Sequence, residues 1–128
     1  MNLPEMAQYR LAQASETLEE ASALKEHGLW RGVINRSYYA MFYAILALAV
    51  EQDKIASKHT AAISFFDREY VKTGIFPKEF SKALHLLFDR RQANDYGEIW
   101  EVAEDEALQA LQDATIFVEA INRNLREK

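Results

Sequence analysis

Two arginines occupy positions where a folded chain needs a reason to keep them. Arg36 stands just before the run Tyr38–Val50 (YYAMFYAILALAV), thirteen residues without a charge. Arg91 opens RQANDY and falls, by its spacing from Leu87, on an apolar helix face. A guanidinium is permanently charged and presents a planar fork of N–H donors, so its natural partners are carboxylates, phosphates and aromatic faces. Tyr39 and Tyr43, one and two turns beyond Arg36, can take its head by stacking. Pairing with a carboxylate would make Arg36 structural, whereas an open cleft would let it bind phosphate or RNA. Arg91 also has two readings. With Asp95 it can brace a helix end, where a cation favours the helix dipole; with Asp95 and Tyr96 it can line a polar pocket that grips phosphate. His59, in SKHT, lies on an inward helical line, either as a hydrogen-bonded core residue or as an acid–base group in the useful titration range.

The elements that must position these residues are helical. Apolar residues recur at helical spacing, no strand alternation is convincing, and the four glycines and two prolines fall where helices should break. The spacing predicts a first helix from about Pro4 to His27, with Ala7, Leu11, Ala14, Leu18 and Ala21 inward and Gly28 at its end. A second runs from about Trp30 to Gln52 and carries two stripes: Ile34, Tyr38, Met41, Ile45 and Leu48 on one face, Arg36, Tyr39, Tyr43, Leu46 and Val50 on another. Burying both requires a central helix or a subunit interface, so a homodimer is expected. Asp53 to Ser57 form a short connection.

A third helix, about Lys58 to Thr73, turns His59, Ile63, Phe66 and Tyr70 inward and stops at Gly74. The fourth, about Pro77 to Ala93, turns Phe80, Ala83, Leu84, Leu87 and Phe88 inward, and Asn94–Gly97 make a turn. The fifth, about Val102 to Arg126, carries the seam Ala107, Leu111, Ala114, Val118, Ile121 and Leu125. Long amphipathic helices joined by short loops predict an all-α protein, a five-helix antiparallel up-and-down bundle.

Composition narrows the chemistry. A chain of 128 residues with 49% apolar content is expected to form one domain with a proper core. The lack of cysteine excludes thiolate metal sites and cysteine nucleophiles. The three histidines have no metal-ligand spacing and there is no Gly-rich phosphate loop, so neither metal nor cofactor is expected. No signal peptide is visible in MNLPEMAQYR, and the Tyr38–Val50 run is shorter than the roughly 20 residues a membrane span needs. A soluble, cytoplasmic protein is expected. The net charge of −5 argues against broad nucleic-acid binding, yet Lys54–Arg91 holds eight Lys/Arg against four Asp/Glu. That basic middle is either a phosphate-facing patch or ordinary solvated helix faces.

Three separated segments, INRSYYAMFYAILALAV, SKHTAAISFFDREYVKTGIFP and RRQANDYG, together resemble the HEPN domain family, in particular its small stand-alone prokaryotic members. The likeness runs motif by motif from about Gly28 to Gly97, and the final helix fits the same plan. The resemblance implies a helical bundle that commonly dimerises, with a cleft shared between subunits and a role near nucleotides or RNA. Many members are paired with a minimal nucleotidyltransferase as toxin and antitoxin. Active members are metal-independent ribonucleases that carry an arginine followed a few residues on by a histidine. Here Asp95 and Tyr96 occupy the histidine's place, so cleavage along that plan would use Arg91 with Asp95 or Tyr96. The cleft the resemblance implies is lined by Arg36, Tyr39, Arg91, Asp95 and Tyr96, with His59 as a contributor.

Overall fold

The computed structural model describes residues 3–51, 58–95 and 101–127, with the side chains of Glu51, Asn94 and Asp95 outside that description. Five α-helices follow in order: α1 (Glu5–Glu26), α2 (Trp30–Glu51), α3 (His59–Phe66), α4 (Lys78–Asp95) and α5 (Glu104–Arg126). No strand occurs among the described residues.

The α1–α2 hairpin closes by backbone chemistry. Leu29 N–H bonds back to Leu24 O and Gly28 N–H to Lys25 O, with Gly28 at φ +68°, a conformation that a β-carbon would strain. The two helices then run antiparallel: Gly32 lies against Leu24 near the turn, and Arg36 reaches Glu20 one turn further along. α4 and α5 are also antiparallel, since Phe80 stacks on Phe117 at 5.4 Å while Arg90 meets Glu106 at 2.9 Å.

α2 packs against every other helix. Its first stripe, Ile34, Tyr38, Met41, Ile45 and Leu48, is fully buried. Its second stripe, Arg36, Tyr39, Tyr43, Leu46 and Val50, is only half-buried in the single chain. The stretch Trp30–Val50 is long and apolar enough to cross a membrane, and reaches further back than Tyr38, but 67% of its most apolar 18-residue window is buried within the protein. It is therefore a core helix by its surroundings.

The α5 seam lies wholly in the core, joined by Phe117. Phe66, Tyr70, Phe76, Phe80 and Phe117 form an aromatic cluster, with Phe66 and Phe117 centroids 4.9 Å apart. Two expectations need correction. The α-helical part of the third segment ends at Phe66 and continues as a π turn over Asp67–Val71, in which Lys72 N–H reaches Asp67 O, one residue further back than in an α-helix. α4 continues through Asn94 and Asp95, which the turn propensity of those residues assigned to a loop; a propensity of some tenths of a kcal/mol does not stop a packed helix. In α4 Leu84 and Leu87 are buried, and Phe80, Ala83 and Phe88 pack against the core while staying partly exposed.

Candidate functional site

Helical spacing puts Arg36 and Tyr39 one turn apart on α2, so the long arginine side chain can lie over the ring. Its Cζ is 5.0 Å from the Tyr39 centroid. Two further contacts fix that guanidinium. Asn35 Oδ1 accepts from Nε at 3.0 Å and from Nη2 at 2.8 Å. Nη1 donates to Glu20 Oε1 of α1 at 3.3 Å. The carboxylate pairing and the Tyr39 stacking expected of a structural Arg36 are both present. With Arg36 31% and Glu20 58% exposed, however, water screens the pair and its net worth is about 0–1 kcal/mol.

Arg91 comes from the far end of α4 and approaches the same ring. Its Nε donates to the Tyr39 hydroxyl at 3.3 Å, and its Cζ lies 5.8 Å from the Tyr39 centroid. Within a single chain, the two guanidiniums therefore meet at one tyrosine ring. Arg90, its neighbour, turns away to Glu106 of α5.

His59 is the first residue of α3 and half-buried. Its Nδ1 lies 2.6 Å from the Tyr38 hydroxyl, and its ring stacks on Phe42 with centroids 4.2 Å apart. It meets Tyr39 edge-on at 5.7 Å. Burial pushes the ionisation of Tyr38 well above the ordinary tyrosine range. The positive charge of Arg91 opposes that shift and Tyr39 adds to it. Tyr38 thus remains a neutral phenol at physiological pH, able to donate or accept at His59.

Of the six residues singled out by sequence, Arg36, Tyr39, His59 and Arg91 converge. The backbone of Asp95 is the last residue of α4, but its side chain lies outside the described residues, as does all of Tyr96. The Arg91–Asp95 brace and the Arg91–Asp95–Tyr96 pocket thus rest on groups the structure does not describe. Sequence reading missed Glu20, Asn35 and the role of Tyr38. Glu20 sits sixteen residues from Arg36, beyond any local signal. Asn35 and Arg36 are adjacent, which on a helix ordinarily points side chains apart; the long guanidinium curls back. Tyr38 and His59 did carry a signal, since each is a polar-tipped residue on an inward line and a buried polar tip needs a partner.

The cluster offers two cations, a half-buried tyrosine ring and an imidazole. That set can hold a phosphodiester by charge and planar hydrogen bonding, and a base by stacking. Among the described residues no group of three potential metal-binding side chains occurs.

Comparison with known proteins adds a lineage. The HEPN domain model matches residues 7–124. A UPF0332 protein of Thermotoga maritima is 33% identical over 120 residues, covering 94% of this chain and 91% of the relative. A UPF0332 protein of Archaeoglobus fulgidus is 32% identical over 119 residues, 90% of this chain and 94% of that one. A Methanocaldococcus jannaschii protein named as a candidate toxin is 26% identical over 118 residues, 92% and 80% of the two chains.

Proposed function

Since the chain belongs to the HEPN domain family, we propose that it is a toxin-like protein whose Arg36–Tyr39–Arg91 cluster binds single-stranded RNA or a nucleotide through its phosphates. The observation that carries this reading is the placement of two guanidiniums from different helices on one tyrosine ring. Two permanent cations within about 6 Å of a shared aromatic face suit an anionic, stackable ligand. The Glu20–Arg36 pair does not oppose this. At about 0–1 kcal/mol it yields to a phosphate, whose charge-assisted bonds to guanidinium are roughly twice as strong as neutral ones. The names of two Methanocaldococcus jannaschii relatives support the toxin-like part of the reading.

The working form in this proposal is a homodimer. The half-buried residues Tyr43, Leu46 and Val50 continue beyond Tyr39 on the same face, and a second copy laid on them would complete their burial and bring two arginine clusters to one cleft. The family's usual counterpart, a minimal nucleotidyltransferase, is the proposed protein partner; it would act as antitoxin.

Induced expression tests the reading. Wild type should arrest growth, and Arg91→Ala should relieve the arrest while the purified variant keeps its melting temperature. Equal arrest by both would contradict it, as would relief that comes only with an unfolded variant.

A further inference from the structure

We propose that the cleft between the π turn and α4 is a second binding site, separate from the Arg36–Tyr39–Arg91 cluster, and that it takes a small organic phosphate monoester.

The basic stretch Lys54–Arg91 has two readings by sequence, a phosphate-facing patch or solvated helix faces. The structure gathers two of its cations in one place. Ser64, Asp67, Arg68, Val71, Lys72 and Ser81 line a cleft of about 490 Å³, within the size range of small-molecule sites. Ser64, Arg68 and Lys72 follow one another at four-residue spacing along α3 and the π turn, and Ser81 joins them from α4. π turns are rare and recur at functional sites.

The carboxylate in that lining is turned out of an anion's way. Asp67 Oδ2 accepts from His85 Nε2 of α4 at 2.7 Å, since a carboxylate has no proton to give. Its Oδ1 is buried and accepts no hydrogen bond among the described residues. One oxygen is therefore engaged and the other out of reach, and the same contact ties together the two walls of the cleft. Arg68 meets Glu69 through Nε at 3.0 Å, an exposed pair between adjacent residues that leaves the outer nitrogens of the fork to a ligand. Lys72 is exposed.

Which anion fits follows from the donors. A guanidinium fork, an ammonium and two hydroxyls are more than the two oxygens of a carboxylate or a phosphodiester engage, and two cations exceed the single charge of either. A phosphate monoester carries about −1.5 to −2 charges at neutral pH on three acceptor oxygens. The cleft is far larger than a phosphate alone, and Val71 offers an apolar wall to the organic group it is esterified to. The preference for a monoester separates this cleft from a site for nucleic-acid backbone, and it does not rest on RNA binding by the arginine cluster.

The test is calorimetric titration of the purified full chain with ribose 5-phosphate, beside ribose, inorganic phosphate and dimethyl phosphate, with melting temperatures recorded for every variant. Ribose 5-phosphate should bind tightest and ribose not at all. Arg68→Gln and Lys72→Gln should each weaken its binding about ten-fold, and Ser81→Ala about three-fold, in chains that keep their melting temperature. Lys82→Gln, at an exposed lysine beside Ser81 that does not line the cleft, should change nothing. Arg91→Ala should leave the affinity for ribose 5-phosphate as it is. No binding of ribose 5-phosphate at millimolar concentration overturns the site. Equal weakening by Lys72→Gln and Lys82→Gln with Ser81→Ala silent also overturns it, as the pattern of diffuse surface charge. Inorganic or dimethyl phosphate that binds as tightly as ribose 5-phosphate overturns the monoester assignment. Affinity lost with Arg91→Ala and kept with Arg68→Gln places the ligand in the arginine cluster and overturns the second site. A chain that binds ribose 5-phosphate through Arg68 and Lys72 but binds no RNA sinks the reading of the cluster and supports this one.

Discussion

Arg91 donates from Nε to the hydroxyl of Tyr39 at 3.3 Å, joining the far end of α4 to the middle of α2 across fifty-two residues of chain. The same ring carries the guanidinium of Arg36. Tyr39 is thus the point at which two helices bring their cations together.

Removing the Tyr39 hydroxyl should separate its two roles. Tyr39→Phe keeps the stacking face for Arg36 and loses the Arg91 bond. At a half-buried site that bond is worth about 0.5–1.5 kcal/mol, so the melting temperature should fall by only a few degrees. RNA affinity should drop modestly with Phe and much further with Ala, measured by fluorescence anisotropy. Equal losses from both substitutions would show that the ring itself does not bind.

Glu20 should compete with the ligand for Arg36. Glu20→Gln removes an exposed pair worth about 0–1 kcal/mol, so stability should barely change while RNA affinity rises by about two- to five-fold at low salt. The gain should shrink as salt is raised, because screening weakens the competition that is being removed. A loss of affinity would instead make Glu20 a support for Arg36.

Tyr38 should set part of the alkaline limit of the fold. Its ionisation is raised in the folded chain, chiefly by burial, against an ordinary value of 10.0. A group whose folded value lies above its unfolded one contributes stability that is complete below the unfolded value and is lost as pH rises beyond it. Denaturant midpoints should therefore be flat with respect to Tyr38 up to about pH 10 and decline above. Tyr38→Phe should decline less steeply there. It should also cost about 1–3 kcal/mol near neutrality by leaving His59 Nδ1 without its partner. A variant with an unchanged alkaline slope would contradict the assignment.

The aromatic cluster supplies a control that belongs to the fold and not to the site. Phe66→Ala, at a position with no solvent exposure, should cost about 3–5 kcal/mol in urea unfolding. Any RNA binding lost in it should follow the folded fraction. Loss of binding in a fully folded Phe66→Ala chain would mean that the site extends to this cluster.

What could be read from the sequence follows from how local each feature is. Every residue named for the α5 seam is buried, because a one-sided amphipathic helix states its buried face by spacing, though Ala110 and Phe117 join it without having been named. α2 was legible as a helix with two apolar stripes, and the structure separates them into one buried and one half-buried face. The π turn at Asp67–Val71 was not, since His59, Ile63, Phe66 and Tyr70 keep an α-helical interval across it. In α4 the wheel marked Phe80, Ala83 and Phe88 as inward, and they do pack against the core, but how deeply each is buried depends on its neighbours, which no single-helix pattern contains. For the site, residue type singled out Arg36, Arg91 and His59, because a fixed charge or an imidazole beside apolar surface needs a partner. Their meeting at Tyr39 depends on how α2, α3 and α4 pack, and that is tertiary information.

The most direct test of a shared binding site is a double-mutant cycle on RNA affinity. Arg36→Ala, Arg91→Ala and the double variant are compared with wild type over a series of salt concentrations starting low, with melting temperatures recorded beside them. Two cations that grip one ligand should each weaken binding in a folded chain and should couple by about 0.5–3 kcal/mol; the double variant should retain little affinity and show a shallower dependence on salt. Wild-type affinity in the folded double variant would contradict the account outright.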